Sequence, residues 1–289
     1  MKTILITDSC CDLPLEYIRS SNIQLLKLSV FLKGQEFFDD LGETFDSKAF
    51  YDKMRSGETA TTSQINVNCF LEEFEKWIDD GYHVIYIGFS SSLSGCINSS
   101  IIAKNMILED NPEANIEIID TKAASLGEGL LVYYASEMLK TGASSSEIVK
   151  WINDTIPKVN HWFTVDDLNH LKRGGRVSST AATIGTLLNI KPILHVDDDG
   201  KLIPISKVQG RKKSIRFLHE KLKEKIINSS IQTIFISHGD CIEDAEMLKA
   251  LILKDHKVKN VIINPISAAV GAHSGPGTVA LFFIGDNRS

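Results

Sequence analysis

The sequence predicts an α/β protein of two domains: a three-layer α/β/α domain on a parallel sheet over residues 1–158, and a second α/β domain with a mixed sheet over 159–289. Three observations carry this expectation. Short apolar runs alternate with stretches of helical period over about 140 residues, the pattern of a parallel sheet with helices on both faces. In "KPILHVDDDGKLIPISKV" the pair Asp199-Gly200 separates two strand-like runs, a hairpin signal that brings antiparallel pairing into the second half. The length of 289 residues is large for one core, since single cores stop growing at roughly 250–300 residues.

In chain order, "TILIT" is a strand and "LPLEYIRSS" a short helix, with Asp12 as N-cap ahead of Pro14. "IQLLKLSVFL" is the next strand. "DSKAFYDKMRSG" is a helix closed by Gly57, and it delivers the chain into a loop, "ETATTSQIN", between two helices. "CFLEEFEKWIDDG" is helical, "HVIYIGFS" a strand, "SGCINSSIIAKNMILED" helical, "ANIEIID" a strand, and "GEGLLVYYASEMLKTG" and "SSSEIVKWINDTIPK" are helices. Beyond them, "TAATIGTLL" reads as a short helix capped by the serines before it. After the hairpin come a helix from "RKKSIRFLHEKLKEKI", the strand "IQTIFIS", the helix "EDAEMLKALILKD" and the strand "NVIINPI". A glycine-rich loop, "GAHSGPG", leads into the last strand, "VALFFIG".

Composition excludes several classes. Hydrophobic residues make up 43% and charged residues 24%, an ordinary globular balance, and no apolar run reaches the roughly 18 residues of a membrane span. "MKTILITDSC" breaks at Asp8 before any cleavage pattern, so it reads as a strand and a cytoplasmic address is expected. Five cysteines without a CxxC pair indicate neither zinc nor a disulfide framework. Net charge is −6 and basic residues cluster only in "KEKI", "LKRGGR" and "GRKKSIR", which argues against a nucleic-acid binder.

Ligands of open parallel sheets collect beyond the carboxyl ends of the strands. Asp8-Ser9 and Asp120-Thr121 stand at such ends, where caps and turns also use these residue types. The third end, "GFSSSLSG", holds more hydroxyls than a cap needs, just before a helix whose free N–H groups suit an anion. It lacks the G-x-S-x-G elbow of a nucleophilic serine. "TATTSQ" offers further neutral hydroxyls, and His273 stands among glycines without a helix or strand face to pack on. Arg173 and Arg176 flank a Gly-Gly pair, and Arg211 opens a helix, where the dipole disfavours a cation and a reason outside folding is expected.

Six motifs in order resemble the DegV family of fatty-acid-binding proteins over nearly the whole chain. They are "ILITDSCCDLP", "TTSQ", "SSSLSG", "IIDTKAASLGEGLLV", "DDLNHLKRGGRVS" and "GAHSGPGTVALFFIG". The resemblance implies a lipid tunnel between the two domains and a long-chain fatty acid ligand such as palmitate, stearate or oleate. Its carboxylate would be held by Thr62, Ser94 and His273, with Ser63 and Ser91 as second contributors. It further implies a non-catalytic role: the chain presents the lipid to a separate fatty acid kinase catalytic subunit, which forms the acyl phosphate. Arg173, Arg176 and Arg211 are the candidates for kinase docking, and no cofactor, metal or stable membrane insertion is implied. Two positions depart from the family pattern: Ser92 replaces a usual glycine, and Ile65-Asn66 replace Pro-Ser. The rival readings are a hydrolase with Ser94 as nucleophile and His273 as base, and a binder of another small-molecule class.

Overall fold

In β1 (Lys2–Asp8) Ile4 and Ile6 face one core and Leu5 the other, so the strand is buried on both sides and needs helices above and below. The structure, a computed structural model, describes residues 2–178 and 189–288. β1 is central in a parallel sheet of order β2-β1-β6-β7, with β2 at Gln24–Leu26, β6 at Tyr82–Gly88 and β7 at Ile116–Asp120. Helices α3 (Val67–Asp79) and α4 (Cys96–Asp110) cover one face. Helices α1 (Leu15–Ser20), α5 (Leu126–Lys140) and α6 (Ser145–Thr155) cover the other. Local capping follows the sequence: the Asn66 side chain accepts from the Cys69 N–H at 3.0 Å, and Asp46 does the same for α2 (Ser47–Arg55).

The second sheet is mixed, in the order β10-β9-β8-β13-β11-β12. Its strands are β8 (Val159–Thr164), β9 (Ile190–Val196), β10 (Leu202–Gln209), β11 (Thr233–His238), β12 (Asn260–Pro265) and β13 (Val279–Ile284), and only β11 and β12 run parallel. Period-two alternation sorts its faces. Trp162, Ile234, Ile236 and Leu281 face α8 (Arg211–Lys225) and α9 (Ile242–Asp255), while Phe163, Phe235 and Phe282 face α5. Helix α5 therefore serves both sheets and carries the core across from one to the other.

The structure corrects the expected elements at several places. The run "IQLLKLSVFL" is two strands, because the chain leaves the parallel sheet at Leu28, whose N–H donates to Ser9 Oγ at 3.1 Å. The second of them, β3 (Ser29–Leu32), joins β4 (Gln35–Phe38) and β5 (Ala60–Ser63) in a small antiparallel sheet. "TATTSQ" is thus mostly a strand. Strand β8 has no counterpart in the sequence reading, and "GAHSGPG" is partly helical: α10 spans Ala268–Ser274 and stops where Gly275 turns to φ +79°. The helix expected over "TAATIGTLL" lies outside the described residues. Among the described residues no helix is long and apolar enough to cross a membrane.

Two fully buried ionisable side chains join the sheets. Asp12 is no helix cap: α1 starts from Pro14, and Asp12 adopts φ +54° with its side chain sealed inside. One carboxylate oxygen accepts from the Ser125 hydroxyl at the start of α5, and the other accepts from the Ser267 N–H before α10 at 2.9 Å. Arg288 is 1% exposed and donates to the carbonyls of Lys122, Asp197 (3.1 Å) and Ile156 (2.7 Å). Burial lowers its pKa to about 10, so it remains a cation at neutral pH.

Removing Arg288 leaves several carbonyls unpaired in the interior. Arg288→Ala is therefore expected to cost about 3 kcal/mol or more, read as a lower urea midpoint. Asp12 gives a pH-dependent counterpart: burial raises its carboxyl from 3.8 to about 7, against the opposing pull of its bonds from Ser125 and Ser267. The proton is held more tightly folded than unfolded, so the contribution is fully present below the unfolded pKa and lost as pH rises through the folded one. Asp12→Asn is expected to gain stability relative to the parent between about pH 4 and pH 8. A difference in unfolding free energy that stays flat over that window would contradict this.

Candidate functional site

Three elements meet at one end of a cavity between the two sheets. Strand β5 pairs with β3 in the register Thr62 to Val30, α10 packs against β5, and α4 begins directly after Ser94-Gly95. The Thr62 hydroxyl and His273 Nε2 lie 2.7 Å apart. Ser94 Oγ accepts from the Cys96 N–H at 3.3 Å and donates to Cys96 Sγ at 3.2 Å, so it sits at the opening of α4, whose N-cap is Gly95. Two glycines stand at close approaches. A side chain at Gly95 would collide with Gln64, which reaches across to donate to Ser99 at 2.9 Å, and one at Gly174 would collide with the His273 ring.

The cavity measures about 460 Å³, within the roughly 300–1,000 Å³ of small-molecule sites. Its mouth carries Thr62, Ser63, Gln64, Ser94, Arg176 and His273. Beyond them the wall is largely apolar, with Leu28, Phe89, Phe163, Val196, Leu202 and Phe282 drawn from both sheets. One end can hydrogen-bond an anion and the rest can cover a hydrocarbon.

Burial, and next the charge of Arg176, lower the His273 pKa to about 4. The ring is neutral at ordinary pH, with one donor and one acceptor nitrogen, and the Thr62 hydroxyl can match either. A base with so low a pKa is weak, and its partner is Thr62. The Ser94 hydroxyl bonds to the N–H and the thiol of Cys96, so the geometry favours no Ser94–His273 nucleophile and base pair.

Thr62, Ser94 and His273 are brought together by the fold, and Ser63 joins them at the exposed rim. Ser91 is not in the cavity wall; it accepts from Lys122 Nζ at 2.9 Å on the outer surface. Arg173 is exposed, with its guanidinium 2.9 Å from His170 Nδ1. Arg176 is half-buried and lines the mouth, held by the carbonyls of Leu93 (3.1 Å) and Gly174. Arg211 pairs with Asp244 at 2.8 Å and Asp166 at 3.7 Å, so the reason for a cation at that helix start lies within the fold. Asp8, Asp120 and Thr121 cap and bridge turns: Asp8 accepts from Cys10 N–H, Asp120 from Ser91 and Lys122 N–H, and Thr121 donates to the Gly88 carbonyl. The sequence reading missed Arg176 and Gln64 as mouth residues. Gln64 stands within the "TTSQ" motif, which was the available signal.

Comparison with known proteins gives a consistent picture. The sequence profile of the DegV family, described as an uncharacterised protein family, matches residues 2–286. A DegV domain-containing protein of Clostridium perfringens is 47% identical over 287 residues, covering 99% of each chain. A solved DegV lipid binding protein of Thermotoga maritima superimposes with a TM-score of 0.87 at 30% identity over 100% of both chains. A DegV family protein of Thermus thermophilus, described for its fatty acid binding, gives 0.90 at 26% identity over 99% of this chain and 100% of its own.

The electrostatics of the mouth can be read directly. Ring-nitrogen NMR of His273 is expected to show a titration midpoint about 4 in the parent. Arg176→Gln is expected to raise it while leaving it below the ordinary histidine value, because burial is the larger cause. An unmoved midpoint would mean that the guanidinium does not act on the ring.

Proposed function

The chain belongs to the DegV family, and from that premise we propose that it binds a long-chain fatty acid and presents the carboxylate to a separate kinase subunit for phosphorylation. The observation that carries this reading is the division of one cavity into a mouth with the Thr62–His273 pair, Ser94 and Arg176, and an apolar remainder. The lipid and fatty-acid binding named for the Thermotoga and Thermus relatives supports the same ligand class.

The two ends of such a ligand have different roles. Burying about fourteen methylenes at ~0.8 kcal/mol each is worth on the order of 11 kcal/mol before entropy costs, so the chain supplies affinity. Hydrogen bonds to a charged group contribute roughly 1.5–3 kcal/mol each, so the mouth mainly sets where the carboxylate sits. A neutral His273 and two hydroxyls leave an oxygen of the carboxylate available for phosphoryl transfer, which a bidentate guanidinium would occupy. Arg176 is restrained from that role by its two backbone carbonyl partners. Arg173, exposed at the end of the short helix α7 (Asn169–Arg173), is the best placed of the three arginines for a kinase surface; Arg211 is engaged by Asp244.

Denaturing extraction of the purified protein, followed by mass spectrometry, is expected to recover close to one fatty acid per chain. Protein that is lipid-free and also takes up no fatty acid would sink the reading. Thr62→Ala and Ser94→Ala are each expected to weaken binding roughly 10- to 100-fold in a fluorescent-lipid displacement assay. Arg173→Ala is expected to lower acyl phosphate formation with the kinase and ATP while the fatty acid dissociation constant holds.

A further inference from the structure

The two hydroxyls at the mouth sit on different elements, Thr62 on β5 and Ser94 at the start of α4. Each is fixed locally, Thr62 against His273 at 2.7 Å and Ser94 against Cys96. Neither bond fixes one hydroxyl relative to the other, and a carboxylate that touches both needs that span held in advance.

Apolar contact brings the two elements together: Ile65, just past β5, shares a buried cluster with Leu93 and Ile97, on either side of the α4 start. Such contact is non-directional, whereas a hydrogen bond specifies both distance and angle. Among the described residues, the side-chain hydrogen bond that joins the end of β5 to α4 runs from Gln64 Nε2 to Ser99 Oγ, at 2.9 Å. Gln64 is exposed at the mouth, whereas Ser99 is 3% exposed and stands outside the cavity wall, one helical turn past Gly95. The Gln64 amide lies across Gly95 to get there: a Cβ at Gly95 would come within 1.9 Å of its Oε1. The bare glycine between Ser94 and Cys96 is thus the passage for the link. The linking group is also neutral, so it brings no charge to a mouth that receives an anion.

We propose that Gln64 is a positioning residue: anchored on Ser99, it sets the span between Thr62 and Ser94 and hence the affinity for the carboxylate. This rests on the fatty-acid reading of the cavity and names what holds its polar end in register. Ser99 then governs recognition of the head group without touching the ligand.

The test is displacement titration of the full chain with palmitate and with hexadecanol, which share a chain length and differ in the charged head. Ser99→Ala and Gln64→Ala are each expected to weaken palmitate binding roughly fivefold, the worth of one hydrogen bond, while hexadecanol changes by less than about twofold. The double variant is expected to bind palmitate no more weakly than either single one, because both remove the same link. Equal losses for the two ligands would mark a merely structural link and overturn the proposal, as would single losses that add in the double variant. If the parent binds neither ligand, the fatty-acid reading falls and this one falls with it. Palmitate bound equally by the parent and both variants leaves that reading standing and removes only the role of Gln64.

Discussion

The buried carboxylate of Asp12 is the contact on which the arrangement of the two sheets depends. It joins the corner after β1 to the start of α5 and to the start of α10, across sequence separations of 113 and 255 residues. Its backbone carbonyl also accepts from Asn264 at the end of β12. A lone carboxylate in an interior is costly, and it is tolerated only where bonds surround it. Those bonds come from both halves of the chain, so satisfying the charge requires the halves to dock in one way. Asp39 repeats the device two residues further on, accepting from the Ala269 N–H at 2.8 Å, with burial raising its carboxyl to about 6.

The functional geometry follows from that docking. With its first amides held by Asp12 and Asp39, α10 can run only one way, and its last turn brings His273 onto Thr62 of the small antiparallel sheet. The low dielectric that makes Asp12 costly also discharges His273, so the mouth offers neutral donors beside a single half-buried guanidinium. The cavity then lies along the seam between the sheets, with the turn that leads into α5, Ala124-Ser125, in its wall. A binding site at a domain junction needs no separate scaffold.

The serine-rich stretch after β6 divides its hydroxyls among several tasks. Ser90 and Ser92 donate to the carbonyls of Gly200 (2.9 Å) and Asp199 (2.7 Å), so they fasten the β9–β10 hairpin tip onto the parallel-sheet domain. Ser91 meets Lys122 outside, and Ser94 alone of these four reaches the cavity wall. The hydroxyl at Ser92, where the family pattern has glycine, therefore belongs to the interface with the hairpin and lies outside the cavity wall.

Periodicity and composition determined much of the fold from the sequence alone: the strands of the parallel sheet, the hairpin at Asp199-Gly200, the helices α2 to α6, and the caps at Asp46 and Asn66. These are decided by near neighbours in the chain, since a burial pattern or a side chain bonding an amide three residues on is visible in a short window. The hydroxyl-rich stretches that hold Thr62 and Ser94, and His273 among its glycines, were legible in the same way, while the family resemblance singled out those residues. What only the tertiary structure decided is whatever depends on partners far away in sequence. Asp12 reads locally as a helix cap, "GAHSGPG" as a loop, Arg176 as surface and Ser92 as a departure from glycine without a partner. Each reading changes because its bonding partner lies about eighty to more than two hundred residues away. A local pattern reports which face of an element is buried, but the groups waiting on that face are supplied only when the sheets come together.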